Sequence, residues 1–312
     1  MSFSRIFITG GTGFTGSHLA RRFLGEGAEV HVTHRRGSSL ERVKDIQNLL
    51  VLHEVDLADS HAVVSLLDVV KPDAVFHLGA DLHQQGIEPL VEPLVRTNVL
   101  TTALALEWAR KHDVVFVYAG TFSEYLPSST PVRETAQLGP QEFYSLTKLA
   151  GTLRTSQMGK LGVPAVSLRI FTPYGPGMRE GRLVRNAIER ALAGEPIPLS
   201  SPQVTRDFIF VDDLVDLYIA AGNSARKFPG EVWNAGGGKA TTQEEFSKLI
   251  LGMTGSSSTI EWSTRGALAY DGELWQADLE KTKRMLGWSP AHDLRSGIEK
   301  TIAWYRKNTP RV

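Results

Sequence analysis

Tyr144 and Lys148 have the residue types and the spacing for acid/base chemistry. They lie four residues apart in YSLTK, the only place in the chain where a lysine follows a tyrosine at this distance. On a helix, residues i and i+4 share a face, so the ammonium would lie beside the phenol. A neighbouring positive charge lowers the pKa of a phenol from its usual value of about 10, which makes it a usable proton donor and acceptor.

Thr121 is a candidate partner for this pair. It follows the apolar segment VVFVYAG, at the end of a predicted strand. Its hydroxyl could bond to a substrate oxygen and share a proton with Tyr144. A threonine that only caps a turn is the alternative.

A glycine-rich segment at the N-terminus, TGGTGFTG (Thr9 to Gly16), has the features of a phosphate-binding turn. Its glycines are three residues apart and lie between an apolar strand and a helical stretch. Such glycines allow a sharp turn, a close approach of pyrophosphate to the backbone, and tight packing of the helix on the sheet. We therefore predict a dinucleotide site with contacts from Gly10, Thr12, Gly13, Phe14, Thr15 and Gly16.

The end of the second predicted strand indicates which dinucleotide is bound. A carboxylate there would hold the ribose 2′-hydroxyl of NAD, whereas this chain has His34, Arg35 and Arg36. Guanidiniums suit the 2′-phosphate of NADP. The sequence favours NADP, with NAD as the alternative. Asp56, after the third strand, could accept from the adenine amino group or could be a helix N-cap.

The elements that position these residues alternate along the chain. Short β-branched runs are separated by segments with helical periodicity, and this predicts six parallel strands in a Rossmann-type, doubly wound α/β sheet. After Phe171 the pattern becomes irregular. We predict a dinucleotide-binding domain over residues 1–171 and a smaller α/β substrate domain over 172–312, with some of its segments returning to the first domain.

Composition excludes several classes of protein. Lys+Arg and Asp+Glu both total 34, and no long basic run is present, so nucleic acid and anionic membranes are poor partners. Without cysteine there are no disulfides, thiolate metal sites or cysteine nucleophiles. No histidine spacing indicates a metal site. No apolar run is long enough for a signal or a membrane span, so we expect a soluble cytoplasmic protein.

Several motifs occur in the order seen in extended short-chain dehydrogenases/reductases, which act mostly on nucleotide-diphosphate sugars. They are TGGTGFTG, Asp56–Leu57, HLGA (His77 to Ala80), Asn98, Thr121, YSLTK, LRIFTPYGPG (Leu168 to Gly177), RDFIFVDDL (Arg206 to Leu214) and GELWQADLEKTKRMLGW (Gly272 to Trp288). The chain resembles this family over nearly its whole length.

The resemblance implies a role for each matching residue. Tyr144 would be the acid/base, Lys148 would orient the nicotinamide ribose and tune Tyr144, and Thr121 would polarise the reacting oxygen. Arg206 would grip the substrate diphosphate, with an ion pair to Asp207, Asp212 or Asp213 as the alternative. The remaining implied contacts are Leu57, Leu78, Gly79, Ala80 and Asn98 for the cofactor, and Thr121, Ser123 and Thr172 for the substrate.

Departures from the family pattern indicate the reaction. The 4,6-dehydratases of the family have an acidic pair directly after the catalytic threonine, where this chain has Phe122 and Ser123. Glu124 comes one residue late and would point the other way on an extended segment. Thr172 replaces an asparagine, and AYDGE (269–273) replaces an arginine-rich turn, a loss that Arg265 or Arg179 could offset. The substrate pocket is therefore expected to be atypical.

We predict an NADP(H)-dependent reductase of a nucleotide-diphosphate 4-keto(-6-deoxy) sugar. The alternative is an NAD(P)-dependent epimerase of the 4-epimerase type, because both reactions need Tyr144, Lys148 and Thr121. A cofactor-sensing regulator on the same fold is a third hypothesis. The predicted helices 94–111 and 144–161 resemble the pair that relatives use to form a dimer, so we expect a homodimer.

Overall fold

The computed structural model of the protein describes residues 3–81, 91–263 and 274–308. Its strands, in chain order, are β1 (Arg5–Thr9), β2 (Glu29–His34), β3 (Val51–Glu54), β4 (Ala74–His77), β5 (Val115–Thr121), β6 (Ala165–Ile170), β7 (Thr172–Tyr174), β8 (Ile197–Pro198), β9 (Thr205–Phe210), β10 (Val232–Ala235), β11 (Ala240–Thr242) and β12 (Ile260–Glu261).

Seven of these strands form one parallel sheet in the order β10-β6-β5-β4-β1-β2-β3. This confirms the predicted Rossmann-type sheet, with one strand more than predicted. β10, expected in the smaller C-terminal part, pairs with β6 at the sheet edge. The strand order reverses between β1 and β4, and ligands of such sheets bind at the carboxyl ends of the strands at this reversal.

Helices cover both faces of the sheet, and this explains why its strands read as nearly continuous apolar runs. α1 and α7 pack on one face, whereas α2, α4 and α5 pack on the other. The helices are α1 (Phe14–Gly25), α2 (Ser60–Val70), α3 (Val91–Leu94), α4 (Thr101–His112), α5 (Phe143–Lys160), α6 (Leu183–Ala193), α7 (Val211–Ser224), α8 (Gln243–Thr254), α9 (Glu280–Leu286) and α10 (Leu294–Asn308).

The predicted helix 94–111 is not one regular helix. α3 and α4 are joined by a π-helical segment, Val95–Leu100, whose wider turn accommodates one residue more than an α-helical turn. Asn98 lies in this segment and is buried. Periodicity could not reveal the π turn, because the apolar spacing on either side still fits a helix.

A second cluster of elements follows the main sheet. β11, β9 and β7 form a three-stranded sheet, and β12 pairs with β8. α6, α8 and α10 pack around a separate apolar core that includes Phe208, Phe246 and Ile298. The domain limits 1–171 and 172–312 remain predictions. No helix in the described part of the chain is long and apolar enough to span a membrane.

Candidate active site

The turn between β1 and α1 allows a phosphate group to approach its backbone closely. Gly10 has φ +68°, and a Cβ there would lie 2.9 Å from Gly79 Cα. A Cβ on Gly16 would lie 2.3 Å from the Gly10 carbonyl oxygen. The free N–H groups at the start of α1 add a partial positive charge. The turn therefore fits a dinucleotide pyrophosphate, and it contains all of the predicted contacts Gly10, Thr12, Gly13, Phe14, Thr15 and Gly16.

The loop after β4 packs on this turn. Gly79 donates its N–H to Thr9 Oγ1 at 3.0 Å, and an added Cβ on Gly79 would lie 2.3 Å from Leu57 Cδ1. The predicted contacts Leu57, Leu78, Gly79 and Ala80 therefore lie around the glycine turn, although their contact with a cofactor remains a prediction.

A buried histidine that the sequence analysis left without a role connects this loop to the catalytic side. His77 Nδ1 is 2.9 Å from Thr9 Oγ1, and its Nε2 is 2.9 Å from Thr102 Oγ1. Because the Thr102 hydroxyl donates to the Asn98 carbonyl oxygen at 2.8 Å, it accepts from Nε2–H of the histidine. Burial, and to a smaller extent the charge of Lys148, lower the pKa of His77 to about 3, so its ring stays neutral.

The Asn98 side chain joins the loop after β4 to the catalytic helix α5. Its Oδ1 accepts from Asp81 N at 2.8 Å, and its Nδ2 donates to Asp81 O and to Thr147 Oγ1, both at 3.0 Å. Thr147 Oγ1 in turn donates to the Tyr144 carbonyl oxygen at 2.7 Å. Asn98 thus positions the helix that carries Tyr144, and its predicted cofactor contact stays a prediction.

Lys148 is buried on α5, one turn after the half-buried Tyr144. Its Nζ lies 4.3 Å from the centre of the Tyr118 ring. Burial lowers the pKa of Lys148 to about 8, and the charge of Glu124 opposes this effect. The shared helical face predicted for Tyr144 and Lys148 agrees with their positions on α5.

Three hydroxyls form a chain beside Tyr144. Ser145 donates to Ser123 Oγ at 2.7 Å, and Ser123 Oγ lies 3.0 Å from Thr121 Oγ1. Ser123 N also donates to Thr121 Oγ1, at 3.4 Å. Because Ser123 Oγ accepts from Ser145, its own hydroxyl can donate a hydrogen bond to Thr121 Oγ1. Thr121 then accepts two hydrogen bonds, and its own hydroxyl can donate to a substrate oxygen. Thr121 caps the following turn as well, so its two suggested roles are compatible. Ser145 was not singled out from the sequence.

Glu124 is a structural residue with its carboxylate inside the protein. Residues Phe122–Glu124 form a 3-10 turn, so the predicted extended geometry was wrong. Its Oε1 accepts from Thr121 N at 3.0 Å and from the Thr152 hydroxyl at 2.9 Å, and its Oε2 lies 2.7 Å from Arg169 Nε. Both members of the ion pair are almost fully buried.

Phe122, at the position where dehydratases have an acid, belongs to an aromatic cluster. Its ring stacks on Phe171, with centroids 5.5 Å apart, and meets Trp275 edge to face at 4.9 Å. With Glu124 held by Arg169, neither residue can supply the proton transfer that elimination of water requires.

A surface cavity of about 440 Å³ lies at the ends of β2 and β3. Arg35 and Arg36 are exposed beside it, and neither forms an ion pair within the described ranges. Asp56 binds Ala58 N at 2.9 Å, whereas Asp59 caps α2, so the N-cap interpretation of Asp56 was wrong. The cavity is lined by Arg35, Arg36, Gly37, Ser38, Glu54, Val55 and Asp56.

The predicted substrate residues lie on three different elements. Ser123 and Ser145 line a small cavity together with Tyr125, Gln141, Glu142 and Trp275. Thr172 begins β7 and is half-buried. Arg206 is 9% exposed and donates from Nη1 to Thr205 O at 2.7 Å. Arg265 and the AYDGE turn (269–273) lie outside the described residues.

The aspartates considered as partners of Arg206 have other contacts. Asp207 accepts from the backbone N–H groups of residues 237, 238 and 277, and Asp213 lies 2.9 Å from His292 Nδ1. Asp212 is 3.7 Å from His18 Nδ1. The predicted diphosphate contact of Arg206 remains a prediction.

A doubly wound sheet, a glycine turn at its switch point, a strand-end threonine and a Tyr-Lys pair on the following helix are typical of an extended short-chain dehydrogenase/reductase. The family model described as "NAD dependent epimerase/dehydratase family" matches residues 6–236. The chain belongs to this family and is an enzyme of its type, not a cofactor-sensing regulator.

Individual relatives cover almost the whole chain. UDP-glucuronic acid decarboxylase 1 of Xenopus tropicalis is 30% identical over 97% of this chain and 72% of its own length. The structure of Pal from Bacillus thuringiensis has a TM-score of 0.88 at 26% identity and covers 97% of this chain and 99% of that one. UDP-glucuronic acid 4-epimerase from Bacillus cereus, in complex with UDP-glucuronic acid and NAD, has a TM-score of 0.85 at 25% identity, with coverage of 97% and 99%.

Proposed function

We propose that the protein is an NADP(H)-dependent reductase of a nucleotide-diphosphate 4-keto(-6-deoxy) sugar. The observation that carries this proposal is the pair of exposed guanidiniums, Arg35 and Arg36, beside the cavity at the end of β2. They suit a 2′-phosphate, and β2 ends on His34 instead of the carboxylate that binds the ribose hydroxyl of NAD. A net reduction oxidises one reduced cofactor in each turnover, and NADPH is the usual source of that hydride in reductive reactions.

Each site residue would have a distinct role in such a reaction. When bound, the nicotinamide cofactor supplies the hydride. Tyr144 would donate a proton to the sugar oxygen. The buried ammonium of Lys148 would stabilise the tyrosinate that remains after this donation. Thr121, which can accept from Ser123 N and Ser123 Oγ, would donate its own proton to the same oxygen and polarise the carbonyl. Arg206, Ser123 and Thr172 are proposed to bind the diphosphate sugar.

An NDP-sugar 4-epimerase is the second candidate. It is favoured by the similarity to the UDP-glucuronic acid 4-epimerase, whose structure contains NAD. A dehydratase is disfavoured because Phe122 and Glu124 are both engaged in packing or ion pairing. The reductase and the epimerase differ in whether cofactor is consumed, so an assay can separate them.

The cofactor experiment tests the proposal directly. We expect cofactor-stripped protein to bind NADPH at least tenfold more tightly than NADH, which corresponds to about 1.4 kcal/mol. Arg35→Gln/Arg36→Gln should remove this preference and leave NADH affinity within twofold, since only the 2′-phosphate contact is lost. Calorimetric titration of both cofactors measures this. Equal or tighter binding of NADH to the wild type would contradict the reductase and favour the epimerase.

Substitution of the acid/base tests the assignment of catalytic residues. Tyr144→Phe should lower kcat by about 10²–10⁴-fold, the usual contribution of a positioned proton donor, with little change in cofactor affinity. NADPH oxidation with 4-keto-6-deoxy NDP-sugars, and interconversion of UDP-sugars without added cofactor, provide the two assays. Gln157→Ala, at an exposed position of the same helix, serves as a control for disturbance of the helix. Unchanged activity in Tyr144→Phe would refute the assignment.

We further propose that the protein is a homodimer that pairs through α4 and α5. Leu146 and Leu153 of α5 are 50% and 53% exposed and lie seven residues apart, and Leu100 beside α4 is 41% exposed. On α5, Phe143, Leu146, Ala150 and Leu153 are separated by three or four residues, which is the spacing of a helix-packing seam. Such an apolar stripe is typical of a covered surface.

Leu153→Glu is expected to convert the dimer to a monomer, because it places a charge in the seam. The molar mass from light scattering should fall from twice 34.3 kDa to 34.3 kDa. Leu161→Glu is the matched control, since Leu161 is 66% exposed at the end of α5, beyond the seam. A monomeric wild type, or an unchanged mass in Leu153→Glu, would contradict this interface.

A further inference from the structure

Arginines from both parts of the protein converge on the loop after β7. Arg42, in the single helical turn that follows β2, donates from Nε to the Gly177 carbonyl oxygen at 2.7 Å. Arg185, on α6, donates from Nη1 to the Met178 carbonyl oxygen at 3.0 Å. Since these carbonyls belong to consecutive residues, the two guanidiniums lie on one short stretch of backbone.

This cluster has more positive than negative charge. Arg179, the next residue of the loop, adds a third guanidinium. Arg185 pairs with Glu189 at 2.8 Å, but neither Arg42 nor Arg179 has a carboxylate within ion-pair distance in the part of the chain that the structure covers. The pKa of Arg42 is lowered by burial and by the charges of Arg185 and Arg179. One carboxylate for three guanidiniums leaves an excess of positive charge in a half-buried seam.

A second, independent feature is an unsatisfied hydroxyl in the same place. Tyr305 on α10 is 2% exposed, and its hydroxyl has no hydrogen-bond partner among the described residues. The Arg185 guanidinium carbon lies 5.9 Å from the centre of its ring. Burial raises the pKa of Tyr305 to about 12, and the charges of Arg185 and Arg42 oppose this effect. Buried hydroxyls normally have a partner.

The unsatisfied groups of this cluster are hydrogen-bond donors. The free N–H groups of Arg42, Arg179 and Arg185 and the Tyr305 hydroxyl call for a ligand that has several acceptors and a negative charge. A phosphate-type oxyanion has this chemistry, and planar guanidiniums match its geometry. A small anion would also join the turn after β2 to α6 and α10, which belong to the second cluster of elements.

We propose that Arg42, Arg179, Arg185 and Tyr305 form a binding site for a phosphate-type oxyanion, separate from the cofactor and sugar sites. The anion is either free phosphate or the phosphate group of a nucleotide. Its binding stabilises the loop Pro176–Met178, which His18 also holds through a 2.9 Å bond from Nε2 to the Pro176 carbonyl oxygen.

Titration with inorganic phosphate, pyrophosphate and UDP tests the site, with the enzyme saturated by its tighter-binding dinucleotide so that the cofactor site is filled. Potassium chloride at matched ionic strength controls for screening. We expect saturable binding of pyrophosphate by calorimetry, weakened at least tenfold in Arg42→Gln and at least threefold in Tyr305→Phe. Tyr305→Phe keeps the ring, so it should fold normally. Arg226→Gln, which alters an exposed arginine paired with Asp113, should bind within twofold of wild type.

The competing outcomes separate the sources of the anion. If UDP binds more tightly than phosphate and its affinity falls in Arg42→Gln, the site takes a nucleotide phosphate; if only phosphate and pyrophosphate depend on Arg42, it takes the free anion. The proposal is overturned if no binding exceeds the chloride control, or if Arg42→Gln and Tyr305→Phe both bind like wild type. Loss of binding in Arg36→Gln with retention in Arg42→Gln would place the anion in the cofactor site and also overturn it.

Discussion

Arg169→Met is expected to lower the free energy of unfolding by about 3–5 kcal/mol, the usual cost of removing one partner from a buried ion pair. The guanidinium of Arg169 is 2.7 Å from Glu124 Oε2, and both side chains are at most 4% exposed. Methionine fills much of the arginine volume but leaves the carboxylate charged and without its counterion. Urea unfolding monitored by circular dichroism measures the loss.

A second substitution, combined with Arg169→Met, identifies the cause of the lost stability. Glu124→Gln in the Arg169→Met background removes the unpaired charge and keeps an oxygen that can accept from Thr121 N and the Thr152 hydroxyl. We expect the double variant to recover at least about 2 kcal/mol of the loss. Equal stability of the single and double variants would show that lost packing, not the buried charge, causes the destabilisation.

An exposed ion pair provides the matched comparison. Arg226 contacts both carboxylate oxygens of Asp113 at 2.9 Å, but its side chain is 42% exposed. Arg226→Met should cost less than about 1 kcal/mol, as is typical of solvated pairs. A difference between Arg169→Met and Arg226→Met therefore reports burial and not the number of hydrogen bonds.

The sequence predicted the parts of the molecule that have a strong local pattern. The glycine turn and the parallel strands follow from steric and periodic rules that act within a few residues. Helix α2, Ser60–Val70, is one of the segments whose regular apolar spacing indicates a helix. The family motifs identified YSLTK, whose tyrosine and lysine lie on α5 as expected.

What the sequence could not predict depends on contacts between distant segments. Glu124 and Arg169 are 45 residues apart, and nothing in FSEY or LRIF indicates that they form a buried pair. The neutral state of His77 follows from its burial and from the charge of Lys148. Its ring contacts Thr9 and Thr102, which are 68 residues before it and 25 residues after it. Strand β10 was assigned to the smaller part because its neighbour in the sheet, β6, ends 62 residues before it.

Lys148→Met is expected to stabilise the cofactor-free protein while it abolishes turnover. A buried ammonium with a pKa of about 8 instead of 10.5 reduces the stability of the folded state by about 3 kcal/mol at neutral pH, and methionine avoids this penalty. The catalytic cost arises because Tyr144 loses the positive charge that favours its ionised form. Thermal and urea unfolding of both proteins, together with kcat, measure the two effects.

The pH dependence distinguishes this charge effect from improved packing. Below pH 8 Lys148 is protonated in both states, so the penalty is complete. Between pH 8 and 10.5 the unfolded chain binds more protons than the folded one, so the stability of the wild type rises with pH. The advantage of Lys148→Met should therefore fall from about 3 kcal/mol at pH 7 to less than about 1 kcal/mol at pH 10. A stability difference between Lys148→Met and the wild type that stays constant across this range would show that methionine acts through packing. It would also show that the charge of buried Lys148 does not destabilise the folded protein.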